Sequence, residues 1–308
     1  MKFSLPYIDQ PIKFWQEFAS QYREFIFEIY FPMGEHIVPS GRPQQPLTQL
    51  YSFLERADLS KAVLVNPIVL PKPVTRLKDE ILNELLLLHQ YYGVNQVTVS
   101  DLQLAEIIKK ELTQYQVSAS VLMRIYSPEQ IPYLQNSVDS LAPDTAIVRD
   151  LQRLQALREA FPGQIKLIVN EGCLPGCPFR TQHFFEMSSD LPLPASLCQN
   201  LLRAHPWLRL KSAWILPQHL YFYDNLYDII KLAGRVTLQN PAQYLRVFQA
   251  YLERKSLGAH EIGTGPAGLT TALPISAEFF YQTITCPKNC ETCSFCREYY
   301  EKYTGTTF

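Results

Sequence analysis

Gln96-Val-Thr-Val-Ser100, a helical pattern from Asp101 to Leu112, then Val117-Ser-Ala-Ser-Val121: these residues spell a β-strand, an α-helix and a second β-strand. Both strand segments are short β-branched runs, and the helix between them opens on an acidic first turn. Nearly continuous apolar strands suit a sheet covered on both faces, as parallel sheets are. A strand, a crossover helix and a second parallel strand form a right-handed βαβ unit.

The same alternation continues on both sides. Upstream lie the strand segments Phe25-Ile-Phe-Glu-Ile-Tyr-Phe31 and Lys61-Ala-Val-Leu-Val-Asn66, with helical spacing of Leu and Ile from Arg76 to Tyr91. Downstream lie Ala146-Ile-Val148, Lys166-Leu-Ile-Val-Asn170, Ala213-Trp-Ile-Leu216 and Ile229-Ile-Lys-Leu-Ala233. Ser127-Pro-Glu-Gln130 is a capping box with Pro at the first helical position, and Asn240-Pro-Ala-Gln243 repeats the device before Tyr244 to Lys255. About eight such units imply an α/β fold, a (β/α)8 TIM-type barrel over residues 1–257. The fallback is a doubly wound open sheet, but no GxGxxG or GxxxxGK[ST] loop supports it. Gly258 to Pro274 reads as a loop, and residues 258–308 as a loop plus a cysteine-rich metal-binding tail packed on the barrel.

Of 308 residues, 47% are hydrophobic and 19% charged, so the chain can bury a core and is not disordered. Lys and Arg number 28 against 29 Asp and Glu, which gives no electrostatic argument for a nucleic-acid duplex or an anionic membrane. Met1 to Gln10 lacks the apolar region of a signal peptide, and Leu85 to Leu88 is far short of a membrane span. The expected localisation is cytoplasmic, where thiols stay reduced.

All seven cysteines lie in the second half of the chain. The odd number argues against a disulfide framework and for metal or redox chemistry. Cys173 and Cys177 follow the Lys166–Asn170 strand, with Gly172 and Gly176 to let the backbone wrap a centre. Cys286, Cys290, Cys293 and Cys296 fall within eleven positions of the tail, a strong sign of zinc or an iron–sulfur cluster. Spacing alone does not separate the two. Cys286, Cys290 and Cys293 also match the CxxxCxxC spacing of radical SAM enzymes, where the motif follows the first barrel strand instead. Cys198, in Leu197-Cys-Gln-Asn-Leu-Leu202, reads as a helix core residue. Either the tail closes its own four-thiolate site or it shares one with Cys173 and Cys177.

Function in a barrel sits on the loops after the strand C-termini. Candidate substrate-binding residues there are Glu28, Asn66, Arg149, Asp150, His219, Lys231 and Arg235. Arg149, Lys231 and Arg235 would bind an anionic group. Each also has a plainer reading: Glu28 as a barrel-interior charge paired with Lys231, Asp150 as a helix start. Glu171, Arg180 and His183 are the catalytic candidates, His183 for proton transfer.

Ile168-Val-Asn-Glu-Gly-Cys173-Leu-Pro-Gly-Cys177-Pro-Phe-Arg180 resembles the NxGCxxxCxxR segment of the peptidase U32 family. Trp214 to Arg235, ending Ile-Lys-Leu-Ala-Gly-Arg, is similar to that family's later KxxGR segment. The resemblance covers residues 25–255 loosely and is specific at these two motifs. It implies a barrel enzyme with a [4Fe-4S] cluster on cysteines, since the family includes oxygen-independent hydroxylases of ubiquinone precursors and of RNA. Two departures stand out. The family's cysteine near a Gly-Arg pair is missing at Ser40-Gly-Arg42-Pro43, and the tail cysteines are an addition.

The leading expectation is an iron–sulfur enzyme hydroxylating or otherwise modifying a small molecule, RNA base or peptide without oxygen. A U32-type peptidase with a zinc centre is the alternative, although neither HExxH nor Gly-x-Ser-x-Gly is present. A third reading is a non-catalytic partner subunit, paired with a member of the same family, whose metal tail is structural.

Overall fold

A computed structural model describes residues 1–39, 41, 47–188, 197–235, 237–263 and 273–307 of the chain. Eight parallel strands close into a barrel in chain order, β1 pairing with both β2 and β8. They are β1 (Lys2–Pro6), β2 (Ile26–Pro32), β3 (Lys61–Val65), β4 (Gln96–Val99), β5 (Gln116–Ala119), β6 (Ser140–Leu141), β7 (Gln164–Ile168) and β8 (Ile229–Lys231). Among the described residues ten α-helices accompany them: α1 (Ile12–Tyr22), α2 (Leu50–Arg56), α3 (Val74–Tyr92), α4 (Leu102–Glu111), α5 (Leu151–Ala160), α6 (Arg180–Met187), α7 (Leu197–Ala204), α8 (Pro241–Glu253), α9 (Ala277–Thr285) and α10 (Phe295–Thr304).

The expected TIM-type barrel is present, with two of its strands elsewhere than expected. Lys2-Phe-Ser-Leu-Pro6 and Ser140-Leu141 are barrel strands. Ala146–Val148 instead forms a turn, and its Ile147 and Val148 are apolar because they are buried. Ala213–Leu216 joins no barrel ladder. It runs beside the chain leaving β7, with an antiparallel bridge between Trp214 and Asn170 and Ile215 N donating to Val169 O at 2.7 Å.

The helix boundaries follow their capping chemistry. Asp101 accepts from Leu104 N at 2.9 Å at the start of α4. Gly93 ends α3 in the left-handed region at φ 67, its amide donating to His89 O. Ser127 starts a 3-10 turn rather than an α-helix, with Gln130 Oε1 accepting from Ser127 N at 3.1 Å. At α8, Asn240 Oδ1 accepts from Ala242 N and Gln243 N, and Pro241 fills the first position. Asn240→Ala is expected to cost about 1 kcal/mol of stability, read from a urea midpoint at unchanged slope.

The two faces of the strands differ in chemistry. Ile29, Phe31, Val63, Val65, Val97, Val99, Val117 and Leu167 join the main core under the helices. Tyr30, Ala62 and Leu64 form a separate cluster inside the barrel. Much of the rest of the lumen is polar or charged. Glu28, fully buried, receives Ser4 Oγ at 2.5 Å and Lys166 Nζ at 2.9 and 2.8 Å. Its ion-pair partner is therefore Lys166, not Lys231 as the alternation of β2 suggested. Lys166 registers with Ile229, one inward position below Lys231, and Lys231 registers with Ser4.

Candidate functional site

The chain leaving β7 is stitched down before it reaches its cysteines. Asn170 Nδ2 donates to Ala233 O at 2.8 Å and Ile262 O at 3.1 Å, and its Oδ1 accepts from Ala233 N at 2.7 Å. Cys173 O accepts from Ala213 N at 3.1 Å. Gly176 adopts φ 68, a left-handed turn that favours glycine, and turns Cys177 toward α6. Arg180 then opens α6, buried, with Nη1 on Asp144 Oδ1 at 2.6 Å. Its guanidinium thus holds this loop to the one after β6.

The tail docks on the same side of the barrel. Arg149, after β6, is buried with its guanidinium 4.7 Å from the ring centres of both Trp214 and Phe280, which also touch each other. Its Nη1 donates to Leu210 O at 2.6 Å and Ser212 O at 3.2 Å, and its Nη2 donates to Thr283 of α9. His219 stacks on Phe280 at 4.6 Å, with Nε2 on Ile275 O at 3.0 Å. Lys288 Nζ closes the clasp on Arg149 O at 2.6 Å and on Thr283 O. Phe279 packs on Tyr299 at 3.9 Å and ties α9 to α10.

Between these elements lies a cavity of about 800 Å³. Its walls come from the loops after β6 and β7, from α7, and from the segment joining α9 to α10. Six of the seven cysteines line it: Cys177, Cys198, Cys286, Cys290, Cys293 and Cys296. Cys173 lies outside the lining, and Cys198, read from sequence as a helix core residue, lies within it. Phe179, Leu201, Trp207 and Phe295 supply apolar wall. Arg149, Lys211 and Lys288 supply positive charge.

Burial pushes the Cys296 thiol up to about 11, against the pull of Lys211 and Arg149 toward the thiolate. Burial likewise pushes Arg149 down to about 10, opposed by Tyr223, Cys296 and Cys286. A thiolate centre needs soft ligands, counter-charge and shelter, and all three line this cavity. Among the described residues no three His, Cys, Asp or Glu side chains are already gathered at metal-ligand spacing. The chain between α9 and α10 is turn and coil, so gathering its thiols breaks no helix.

The other candidates separate. Asp150 is the N-cap of α5, accepting from Arg153 N at 3.2 Å. His219 and Arg149 are spent on the tail clasp. Arg180 is spent on Asp144, and Glu28 on Lys166 and Ser4. Glu171 is buried beside Asn170 in the chain. His183 sits on α6 with Nε2 2.8 Å from Met187 Sδ, away from the cavity lining. Asn66 donates to Ser120 Oγ at 3.3 Å beyond β3. Lys231 and Arg235 lie at the end of β8, apart from the cysteines. Ser40, Arg42, Pro43 and residues 264–272 lie outside the described residues. Lys166, Asp144, Lys211 and Lys288 carried no motif in the sequence, and they emerge only with the fold.

No family model matches the chain. An uncharacterized protease of Methanocaldococcus jannaschii is 31% identical over 227 residues, 68% of this chain and 66% of that protein. The chain thus spans about two thirds of that relative's length. A solved structure of a U32 peptidase superposes with a TM-score of 0.55 at 17% identity, covering 76% of this chain and 93% of that one. At that identity the likeness concerns the fold. No helix among the described residues is long and apolar enough to cross a membrane.

Proposed function

The chain belongs to the peptidase U32 family, and on that premise we propose that it is an iron–sulfur enzyme that modifies its substrate without molecular oxygen. One observation carries the proposal: six cysteines from three separate segments, the β7 loop, α7 and the tail, line a single cavity on the loop side of a barrel. Cys286, Cys290, Cys293 and Cys296 are the residues that would hold a [4Fe-4S] cluster, with Cys177 facing them from the β7 loop. Bound there, such a cluster supplies one-electron redox chemistry or a Lewis-acidic iron. The chain's own part is charge and shelter. Arg149, Lys211 and Lys288 offset the charge of ligating thiolates, and the aromatic packing of α9 on α10 holds the cysteine-bearing tail against the barrel. The substrate classes we assign are a small molecule, an RNA base or a peptide, with a family partner subunit as a further proposal.

Anaerobic purification followed by iron, sulfide and zinc analysis tests this. About four irons and matching sulfide per chain are expected, in a brown protein. Cys290→Ser or Cys293→Ser should bleach it. Stoichiometric zinc without sulfide would overturn the reading. The names of both relatives favour a second one, a peptidase. Zinc in the same thiol set together with cleavage of a peptide panel would establish that alternative.

A further inference from the structure

A second polar site lies inside the barrel. Lys231 ends β8, and its side chain enters the lumen with its register neighbour Ser4 and with Glu28, which registers with Ser4 in turn. The Lys231 ammonium stands 4.3 Å from the centre of the Tyr30 ring. That ring is fixed by its hydroxyl, which donates to Leu232 O at 2.7 Å. The Glu28 carboxylate is filled by Lys166 and Ser4, so Lys231 has no ion pair among the described residues. Glu28 and Lys166 are wholly buried, whereas Lys231 is partly exposed. From the far wall, Thr98 and Ser118 face the same lumen, with buried hydroxyls that have no hydrogen-bond partner among the described residues. A partly exposed lysine and two unsatisfied hydroxyls in one lumen offer a polar guest both a charge and hydrogen bonds.

Three groups set the state of that amine. Burial pushes Lys231 down to about 8, Lys166 and Arg235 push the same way, and Glu28 opposes them. At pH 7 the fraction of neutral amine is then on the order of 100-fold above that of an ordinary lysine. Desolvation beside other cations is how a lysine becomes a nucleophile.

We propose that Lys231 is a nucleophile that condenses with the carbonyl of a small anionic aldehyde or 2-oxo acid. Its Nζ lone pair attacks the carbonyl carbon and a C–N bond forms. The carbonyl oxygen leaves as water with the two amine protons, and an imine remains. Nothing is oxidised or reduced, so no further reactant is needed. The anionic preference follows from the charges around the neutral amine, where one carboxylate, Glu28, stands against two cations, Lys166 and Arg235. This inference goes beyond the cysteine cavity and stands whether that cavity holds a cluster, zinc or neither.

The test is reductive trapping on the full-length protein. Pyruvate and sodium cyanoborohydride are added from about pH 6 to about pH 10, and adducts are mapped by peptide mass. The expected result is one reduced adduct at Lys231, formed roughly tenfold or more faster than at exposed Lys110, with a rise centred near pH 8. Lys231→Arg keeps the charge and should lose the adduct. If that variant does not fold, the wild-type map alone decides. Adducts spread over exposed lysines with Lys231 unmodified would overturn the proposal. So would equal thermal stabilisation by pyruvate and lactate without an adduct, which would mark a simple anion cradle.

Discussion

Glu28→Gln will destabilise the barrel by about 3–5 kcal/mol, a large part of the total stability of an ordinary domain. The reason is the partner left behind. Lys166 is as buried as Glu28, and its ammonium has the Glu28 carboxylate on both oxygens at 2.9 and 2.8 Å. Without that carboxylate, Lys166 and Lys231 face each other across a lumen with no counter-charge. Adding Lys166→Met should recover much of the loss, because removing both charges leaves none unpaired. The pair also sets a pH dependence. Burial pulls the Glu28 carboxyl upward, yet Lys166, Lys231 and Ser4 together hold it below the usual carboxylate value. Its contribution is therefore complete above the unfolded value of about 4.3 and fades as pH falls through the lower folded value. The Gln variant should lack that part of the acid transition. Denaturant melts at neutral and acid pH read both effects, and an unchanged urea midpoint at neutral pH would refute them.

Six strands of the barrel were legible: five show apolar runs rich in β-branched or aromatic residues, and Val117-Ser-Ala-Ser-Val121 follows a clear strand and helix. The two that were not are the shortest or least apolar. Ser140-Leu141 offers two residues, too few for any period, and Lys2-Phe-Ser-Leu-Pro6 mixes a lysine, a serine and a proline. Conversely, Ile147, Val148, Trp214 and Ile215 are fully buried without belonging to a ladder. An apolar run reports burial, and burial in a large barrel is not confined to strands.

The cysteine cavity was half legible for a related reason. Ligand spacing within the tail is local, so Cys286 to Cys296 announced themselves. Their surroundings are not local. Arg149 meets Thr283 across 134 residues, and Lys166 meets Glu28 across 138. Arg149 looked like an anion binder at a strand end, but Trp214, Phe280 and backbone carbonyls occupy it. Only the closed barrel, with the tail laid across it, brings those partners together.

Phe280→Ala should release the tail from the barrel. Phe280 is fully buried, in contact with the Arg149 guanidinium at 4.7 Å and the His219 ring at 4.6 Å, so truncation removes both contacts at once. Burial of this size is lost at about 3–5 kcal/mol, and part of it falls on the docking of α9. The cavity loses a wall with it, because Thr283 and Cys286 are carried by the same helix and its end. Limited proteolysis should cut within residues 273–307 far sooner than in wild type, while the barrel segments resist. His219 gives this docking a pH dependence of defined sign. Burial holds its imidazole below the ordinary value, the Ile275 carbonyl opposes this, and Arg149 adds to it. The folded ring therefore stays neutral where the unfolded one takes a proton, and stability falls as pH drops below about 6.5. In wild type the tail should become more sensitive to protease at pH 5.5 than at pH 7.5, about one unit either side of that value. Replacing His219 by Gln, which cannot titrate, should flatten the difference. Equal cleavage of wild type at both pH values, or a Phe280→Ala tail as resistant as the parent, would show that this stack does not hold the tail.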